Sequence, residues 1–469
     1  MRPTELSVTV VPLPGSRPLV EYFETEAGRG PTCLLDSSRQ DAGQGRYSFL
    51  GLDPYLVLTA KGTAGRIAHR GGSVEEIDGD PFAVLGALLA DRTIRPTELP
   101  TGAPPFLGGA IGFLGYELNR RLEELPSTVL DDLGLPDLAF CFFDTVVAQD
   151  HATGVTNLIV TLPRSVDPAP VIETALSRLG SVRSSRVGER ATDRDFTASF
   201  TRAGYIDAVR RVKEYIYAGD IYQANLSQRF RAPVDAPWQL YRRLRSLNPA
   251  PFGAFLDFAD FQVASSSPER FLRVDGRHVE TRPIKGTRRR SQDPAVDERL
   301  REELGASPKD HAELSMIVDV ERNDLGRVCE YGSVQVVEHA VLESYATVHH
   351  LVSTVRGRLR PGLDVIDLLR ASFPSGSVTG APKIRAMEII DELEPTARSV
   401  YTGAVGYLGF NGTHELNVAI RTMIIRDGWG YAQVGGGIVA DSDPQAEYQE
   451  TLDKGEAMFE ALLTSGRRS

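Results

Sequence analysis

Residues 252–287 read FGAFLDFADFQVASSSPERFLRVDGRHVETRPIKGT. Short apolar and aromatic runs alternate with turn formers: Asp and Ala after 257, Ser and Pro at 267–268, Asp-Gly at 275–276. This is the pattern of consecutive strands joined by turns. The stretch ends on Lys285, followed closely by Arg288, Arg289 and Arg290.

Lys285 stands out against the composition. Lys and Arg total 52, yet the only lysines are Lys61, Lys213, Lys285, Lys309, Lys383 and Lys454. Arginine serves wherever a permanent cation suffices. Lysine alone of the two can lose its proton near neutrality when its pKa is lowered, and then act as a nucleophile. Arg282 and the 288–290 run are placed to supply a positive field that would do this.

Around this segment the chain reads as mixed α and β. Residues 1–180 are rich in strand-like runs (PYLVLTA, VVAQ, TNLIVTL), with FLGGAIGFLGYEL (106–118) as a glycine-rich turn and a helix near 170–179. Residues 181–195 are serine- and charge-rich, so 181–198 is expected to be a linker before a second region, 199–465. That region opens with a helix whose apolar face is Ile206, Val209, Val212 and Ile216, capped at Gly219. A second helix follows Ser307 as N-cap, with Pro308 in its first turn. Strand-like YTGAVGYLGF, HELNVAIRTMIIRDG and YAQVGGGIVADSD follow. The last helix is expected to bury Tyr448, Leu452, Phe459 and Leu462.

With 41% hydrophobic and 25% charged residues, the 469-residue chain has ordinary globular composition. Its net charge of −11 argues against a nucleic-acid or acidic-membrane surface. The arginine run is the one feature that would serve a non-catalytic binding subunit, and the net charge weighs against it. Three scattered cysteines fit a reducing compartment and no zinc site. No apolar run is long enough to span a bilayer, and the N-terminus lacks a signal pattern; a cytoplasmic protein is expected.

Several carboxylates sit where chemistry could use them. Glu313 is in line with the apolar stripe of Met316, Ile317 and Val320, so it needs a strong partner, a cation or a metal. Glu447, Glu450 and Lys454 share one face of the last helix, and Glu313 with Glu450 would suit Mg²⁺ if the fold joins them. Gly435 to Gly437 could present bare N–H groups to an anion, as in a turn. The 373–383 loop has small residues but not the spacing of a nucleotide-binding loop.

Taken together, the motifs GDIYQANLSQRF, ASSSPERF, TRPIKGT, HAELSMIVDVERNDLGRV, YATVHHLVS, GSVTGAPKIRAMEII, YTGAVGYLGF, VGGGIVADSDP and AEYQETLDK resemble the chorismate-utilising enzyme family over nearly the whole chain. The resemblance implies an α+β fold of two large, mostly antiparallel sheets packed as a sandwich. Helices would lie outside, and the site in a cleft of the C-terminal half. PIKGT resembles the aminodeoxychorismate-forming branch, whose lysine attacks the ring; anthranilate-forming relatives have alanine there. By the same resemblance Gln223 stands where water-using relatives carry a lysine, which implies ammonia as the nucleophile. Glu269 matches the general acid. Glu313 and Glu450 match Mg²⁺ ligands, with Glu447 and Asp310 beside them. Gly286, Thr287, Ser377, Gly435, Gly436, Gly437 and Lys454 match positions around the substrate. Tyr401 and Arg421 match those holding the enolpyruvyl carboxylate, and His350 a histidine near the ring. Leu35, Asp36 and Ser37 fall where tryptophan-regulated relatives bind tryptophan, but Asp36 replaces a glutamate. The implied partner is a separate glutamine amidotransferase subunit that supplies ammonia.

Overall fold

The computed structural model describes residues 3–463 apart from 14, 16, 41, 42, 96, 98, 181–195 and 345–347. Most of the expected linker therefore lies outside the described residues. The opening stretch forms the strands Phe252–Asp257, Phe261–Ser267, Arg270–Asp275, His278–Arg282 and Ile284–Arg289. The first two pair as a hairpin, Phe252 opposite Ser267, and Arg270–Asp275 and His278–Arg282 pair next.

The hairpins belong to different sheets. One sheet has 13 strands and the other 12. In the first, Phe252–Asp257 lies between Phe261–Ser267 and Thr32–Asp36; in the second, Ala404–Gly409 lies beside Gly109–Leu114. Their ladders are antiparallel except where Thr4–Pro12 meets Arg92–Thr93. Each sheet thus draws strands from both ends of the chain, so residues 1–180 and 199–463 share their sheets and their core. The crossing from Ser267 to Arg270, through Pro268 and Glu269, is where the chain passes from one sheet to the other.

The core between the sheets joins Cys33, Ala254, Leu256 and Val263 to Ile111, Phe140, Phe142 and Val405. A second core covers the outer face of the larger sheet, with Phe23, Tyr241, Leu244, Met458 and Leu462 from helices. These strands are buried on both sides, which is why they read as continuous apolar runs rather than alternating ones.

Two sequence expectations change. The stretch 106–118 is not a turn: Gly109–Leu114 is a fully buried central strand. Its glycines permit close backbone approach, since a Cβ on Gly112 would sit 2.0 Å from the Ala139 carbonyl oxygen. On the last helix, Pro444–Leu462, the buried stripe is Glu447, Thr451, Gly455, Met458, Ala461 and Leu462. Tyr448, Leu452 and Phe459 flank it, only half-buried. Thr451 faces the sheet, its Oγ1 accepting from Gln228 Nε2 at 2.6 Å, and the Phe459 ring of the same helix fills the space beside Gly455. The expected caps form: Gly219 adopts φ 86°, and the Ser307 side chain accepts from the Asp310 N–H. No helix among the described residues is long and apolar enough to cross a membrane.

Candidate active site

Three elements converge on Lys285. It sits on Ile284–Arg289, just before a bulge at Gly286 (φ 73°), and faces helix Pro308–Gly326. Its Nζ lies 2.9 Å from Glu313 Oε1. Gln223, at the start of strand Gln223–Pro233, donates from Nε2 to the same oxygen at 3.0 Å. Glu313 thus has the strong partner its place on the helix requires.

The arginines do not lower the lysine's pKa. Arg282 pairs with Glu343, Arg288 with Glu303 and Asp310, Arg289 with Glu456, and Arg290 with Asp297. Their charge is spent on neighbouring carboxylates. Burial opposes the Lys285 ammonium, but Glu313, then Glu269 and Glu450, outweigh it and raise its pKa above the ordinary lysine value. Burial pushes Glu313 up in turn, yet Lys285, Lys454 and Gln223 together hold it below the usual range.

Glu269 occupies the crossing between sheets and is 4% exposed. Burial pushes its carboxyl up to about 7, against the Ser377 hydroxyl and the Lys285 charge. Its Oε1 has no hydrogen-bond partner among the described residues. A carboxyl that keeps its proton near neutrality is suited to proton donation. Ser377 lies on a short 3-10 turn, its Oγ 3.0 Å from that of Ser375.

Gly435 to Gly437 lie within strand Trp429–Ile438, not in a turn after it, opposite Ser227, Leu226 and Asn225. They act by lacking side chains. A Cβ on Gly436 would sit 3.2 Å from Glu450 Oε1, 3.5 Å from Glu447 Oε2 and 3.5 Å from Lys454 Nζ; one on Gly437 would meet Gln223 and Glu313. Lys454 Nζ is 2.6 Å from Glu450 Oε1 and donates to the Gly435 carbonyl at 3.1 Å. Lys454 holds the Glu450 carboxyl below its ordinary value, whereas burial raises that of Glu447. Lys309 acts on both from farther off. Among the described residues no three His, Cys, Asp or Glu side chains form a ready metal cluster. The acidic residues instead hold ammonium groups, Lys285 on Glu313 and Lys454 on Glu450. Asp310 pairs with Arg288 at 3.2 Å and packs against Gly286.

Arg421 (φ 51°) ends the break between strands Thr413–Val418 and Thr422–Arg426. No carboxylate of the described residues pairs with it, and burial lowers its pKa. Tyr401 is its electrostatic neighbour. A half-buried guanidinium without a carboxylate partner can receive an anion, and its planar fork suits a carboxylate. His350 is paired across from Thr287, and its Nδ1 lies 2.9 Å from the Thr287 hydroxyl and 3.3 Å from the Gly286 carbonyl. Burial lowers its pKa to about 4, so it is a neutral ring at pH 7.

Leu35, Asp36 and Ser37 lie away from this cluster. Asp36 accepts from the Tyr241 hydroxyl at 2.8 Å and from Arg245 Nε at 2.7 Å, and Ser37 donates to the Pro251 and Tyr47 carbonyls. Asp36 thus ties strand Thr32–Asp36 to helix Pro237–Leu247, and Ser37 ties the chain just after it to Tyr47 and Pro251.

Two supporting groups escaped sequence reading. Glu321, 1% exposed, accepts from Ser375 Oγ and the Gly376 N–H and fixes the loop that carries Ser377. It lies in line with Leu314, Ile317 and Leu325, so the stripe argument applied to Glu313 would have found it. Arg398, fully buried, pairs with Glu394 and donates to the Asn225 and Val378 carbonyls. The two are four residues apart, but local sequence does not mark them as buried, because the carbonyls that Arg398 meets lie on a distant strand and a distant 3-10 turn.

Comparison with known proteins accords with this geometry. A family model described as chorismate binding enzyme matches residues 36–460. Aminodeoxychorismate synthase component 1 of Salmonella typhimurium is 42% identical, over 96% of this chain and 97% of its own. Anthranilate synthase component 1 of Thermus thermophilus is 41% identical, over 95% of each. The crystal structure of anthranilate synthase component I from Streptococcus pneumoniae superposes with a TM-score of 0.79 at 35% identity, covering 88% of this chain and 92% of that one. With a match of that extent laid over the sandwich and its buried acid–lysine cleft, the chain belongs to the chorismate binding enzyme family.

Proposed function

We propose that this enzyme is the chorismate-aminating component of an aminodeoxychorismate synthase. Chorismate and ammonia would give 4-amino-4-deoxychorismate, a precursor of p-aminobenzoate and folate. The observation that carries the reading is Lys285 Nζ, buried among Glu313, Glu269 and Glu450 where the anthranilate-forming branch has alanine. Identity alone does not choose: aminodeoxychorismate synthase relatives are 40–42% identical and anthranilate synthase relatives 41–44%.

The chemistry runs in two displacements. The Lys285 amine attacks C2 of the ring, the conjugated double-bond system shifts through C1, C6 and C5 to C4, and the C4–O bond breaks. Glu269, protonated near neutrality, gives its proton to the departing hydroxyl, which leaves as water. Ammonia then forms a bond to C4, the double bonds shift back, and the C2–N bond to Lys285 breaks. The added nitrogen gives one proton back to Glu269, so chorismate and ammonia yield aminodeoxychorismate and water. Lys285 must start as the free amine. Its burial favours that form; Glu313 opposes it, so any competing positive charge on Glu313 frees the nucleophile.

Mg²⁺ fits the acidic residues. Glu313 and Glu450 are held ionised, and a hard ion that keeps waters needs few carboxylates. Those two would hold it, with Glu447 and Asp310 beside them, and when bound it would neutralise the substrate's ring carboxylate. Gly435 to Gly437, Lys454 and Ser377 would border that carboxylate. Arg421 and Tyr401 would take the enolpyruvyl carboxylate. Neutral His350 would hold Gly286 and Thr287 in place beneath the ring rather than exchange protons. Ammonia would reach the cytoplasmic enzyme from a separate amidotransferase subunit.

Incubation with chorismate, ammonium and Mg²⁺, followed by chromatography, tests the reading. Aminodeoxychorismate without pyruvate is expected; anthranilate with stoichiometric pyruvate would refute it. A second test concerns Gly437. Gly437→Ala puts a methyl 2.0 Å from Gln223 Nε2 and 2.9 Å from Glu313 Oε1, pushing both aside. Chorismate turnover should fall by about tenfold or more with the fold retained. Full activity would show that this strand does not border the site.

A further inference from the structure

Two buried acceptors on strand Gln223–Pro233, the strand whose Gln223 meets Glu313, lack donors among the described residues. Gln223 and Asn225 are two residues apart on one strand, so their side chains leave the same face. Asn225 is directly opposite Gly437. The Cβ direction of Gly437 points to Gln223 Nε2 and Glu313 Oε1, so this is the face on which those groups lie. Gln223 is 1% and Asn225 8% exposed. Gln223 spends its N–H on Glu313. Neither Gln223 Oε1 nor Asn225 Oδ1 accepts a hydrogen bond from any described residue. The Asn225 backbone is fixed at both ends: its N–H donates to the Thr379 carbonyl, and its carbonyl accepts from Arg398. Two orphaned amide oxygens held this firmly on one face mark a place where a donor arrives.

We infer that Asn225, together with Gln223, forms the binding position for ammonia. Ammonia carries three N–H donors and one lone pair. Two amide oxygens can take two of the donors and leave the lone pair aimed into the cleft. Amides are also too weakly basic to deprotonate water, so water in the same position stays a poor nucleophile, while ammonia needs no base. This assignment rests on the preceding reading only in taking ammonia as the nucleophile, which an anthranilate-forming enzyme would share.

The test uses the full-length protein, ammonium chloride at fixed pH, and saturating chorismate. Asn225→Ala should raise the KM for ammonium at least tenfold and leave the KM for chorismate within twofold. Asn225→Thr keeps an oxygen acceptor in a smaller side chain and should show a smaller rise, two- to fivefold. It carries the test alone if the alanine variant does not fold. An unchanged KM for ammonium overturns the inference. So does a rise in the KM for chorismate alone, which would assign Asn225 to the ring substrate. If the wild-type product proves to be anthranilate, the preceding reading fails while the ammonium titration still decides the role of Asn225.

Discussion

Lys285→Ala should form no measurable aminodeoxychorismate, at least about a thousandfold below wild type, yet bind chorismate within about threefold of wild type. The large loss is expected because in the proposed mechanism the amine makes and breaks a bond to the ring; the small effect on binding, because the proposed substrate contacts of Arg421, Tyr401 and the glycine strand are untouched. The substitution also strips Glu313 of its cation and leaves Gln223 as its remaining donor. Removing one partner of a largely buried pair costs about 3–5 kcal/mol, so poor folding could imitate lost chemistry. Lys285→Gln separates the two. It keeps an N–H donor beside Glu313 without a nucleophile, so it should recover stability and not activity. Mass spectrometry of wild type quenched during turnover should find the ring adduct on the peptide carrying Lys285. Product formation by either variant above about a hundredth of the wild-type rate would remove the covalent step from the mechanism.

The cluster around Lys285 was partly legible in composition. Three of the six lysines act on carboxylates of this one cluster: Lys285 and Lys454 on Glu313, Lys309 and Lys454 on Glu447 and Glu450. Lysine scarcity in an arginine-rich chain singled out Lys285, although not the sign of the effect on its pKa. That sign depends on which carboxylate each arginine meets, and other elements supply them: Asp297, Glu303, Asp310 and Glu456 from helices, Glu343 from another strand. The strands themselves were legible wherever turn formers bound them, as in 252–287. Gly109–Leu114 was not, because glycines that permit close backbone approach look like glycines that make turns. The rotation of the last helix escaped for a similar reason: the stripe it buries contains Glu447, Thr451 and Gly455, none of them apolar.

Glu269→Gln should lower kcat by about 10²–10⁴-fold and remove the alkaline limb of the pH profile. In wild type, kcat/KM should fall above about pH 7, where the buried carboxyl loses its proton. Stability provides an independent reading of the same group. The folded-state pKa lies above the ordinary glutamate value, so below about pH 4.5 both folded and unfolded chains hold the proton and the group contributes no difference. Between about 4.5 and 7 the unfolded chain releases its proton while the folded chain keeps it, so stability declines as pH rises. Above about 7 the folded protein carries the full cost of a buried carboxylate. Glutamine has nothing to titrate and escapes that cost. Relative to wild type, Glu269→Gln should therefore gain on the order of 1–3 kcal/mol at pH 8 compared with pH 4.5, read from urea unfolding at the two pH values. A stability difference independent of pH would mean that the carboxyl is ionised in the folded protein near neutrality. It could not then serve as the acid for the departing hydroxyl, and the proton would have to come from another group in the cleft.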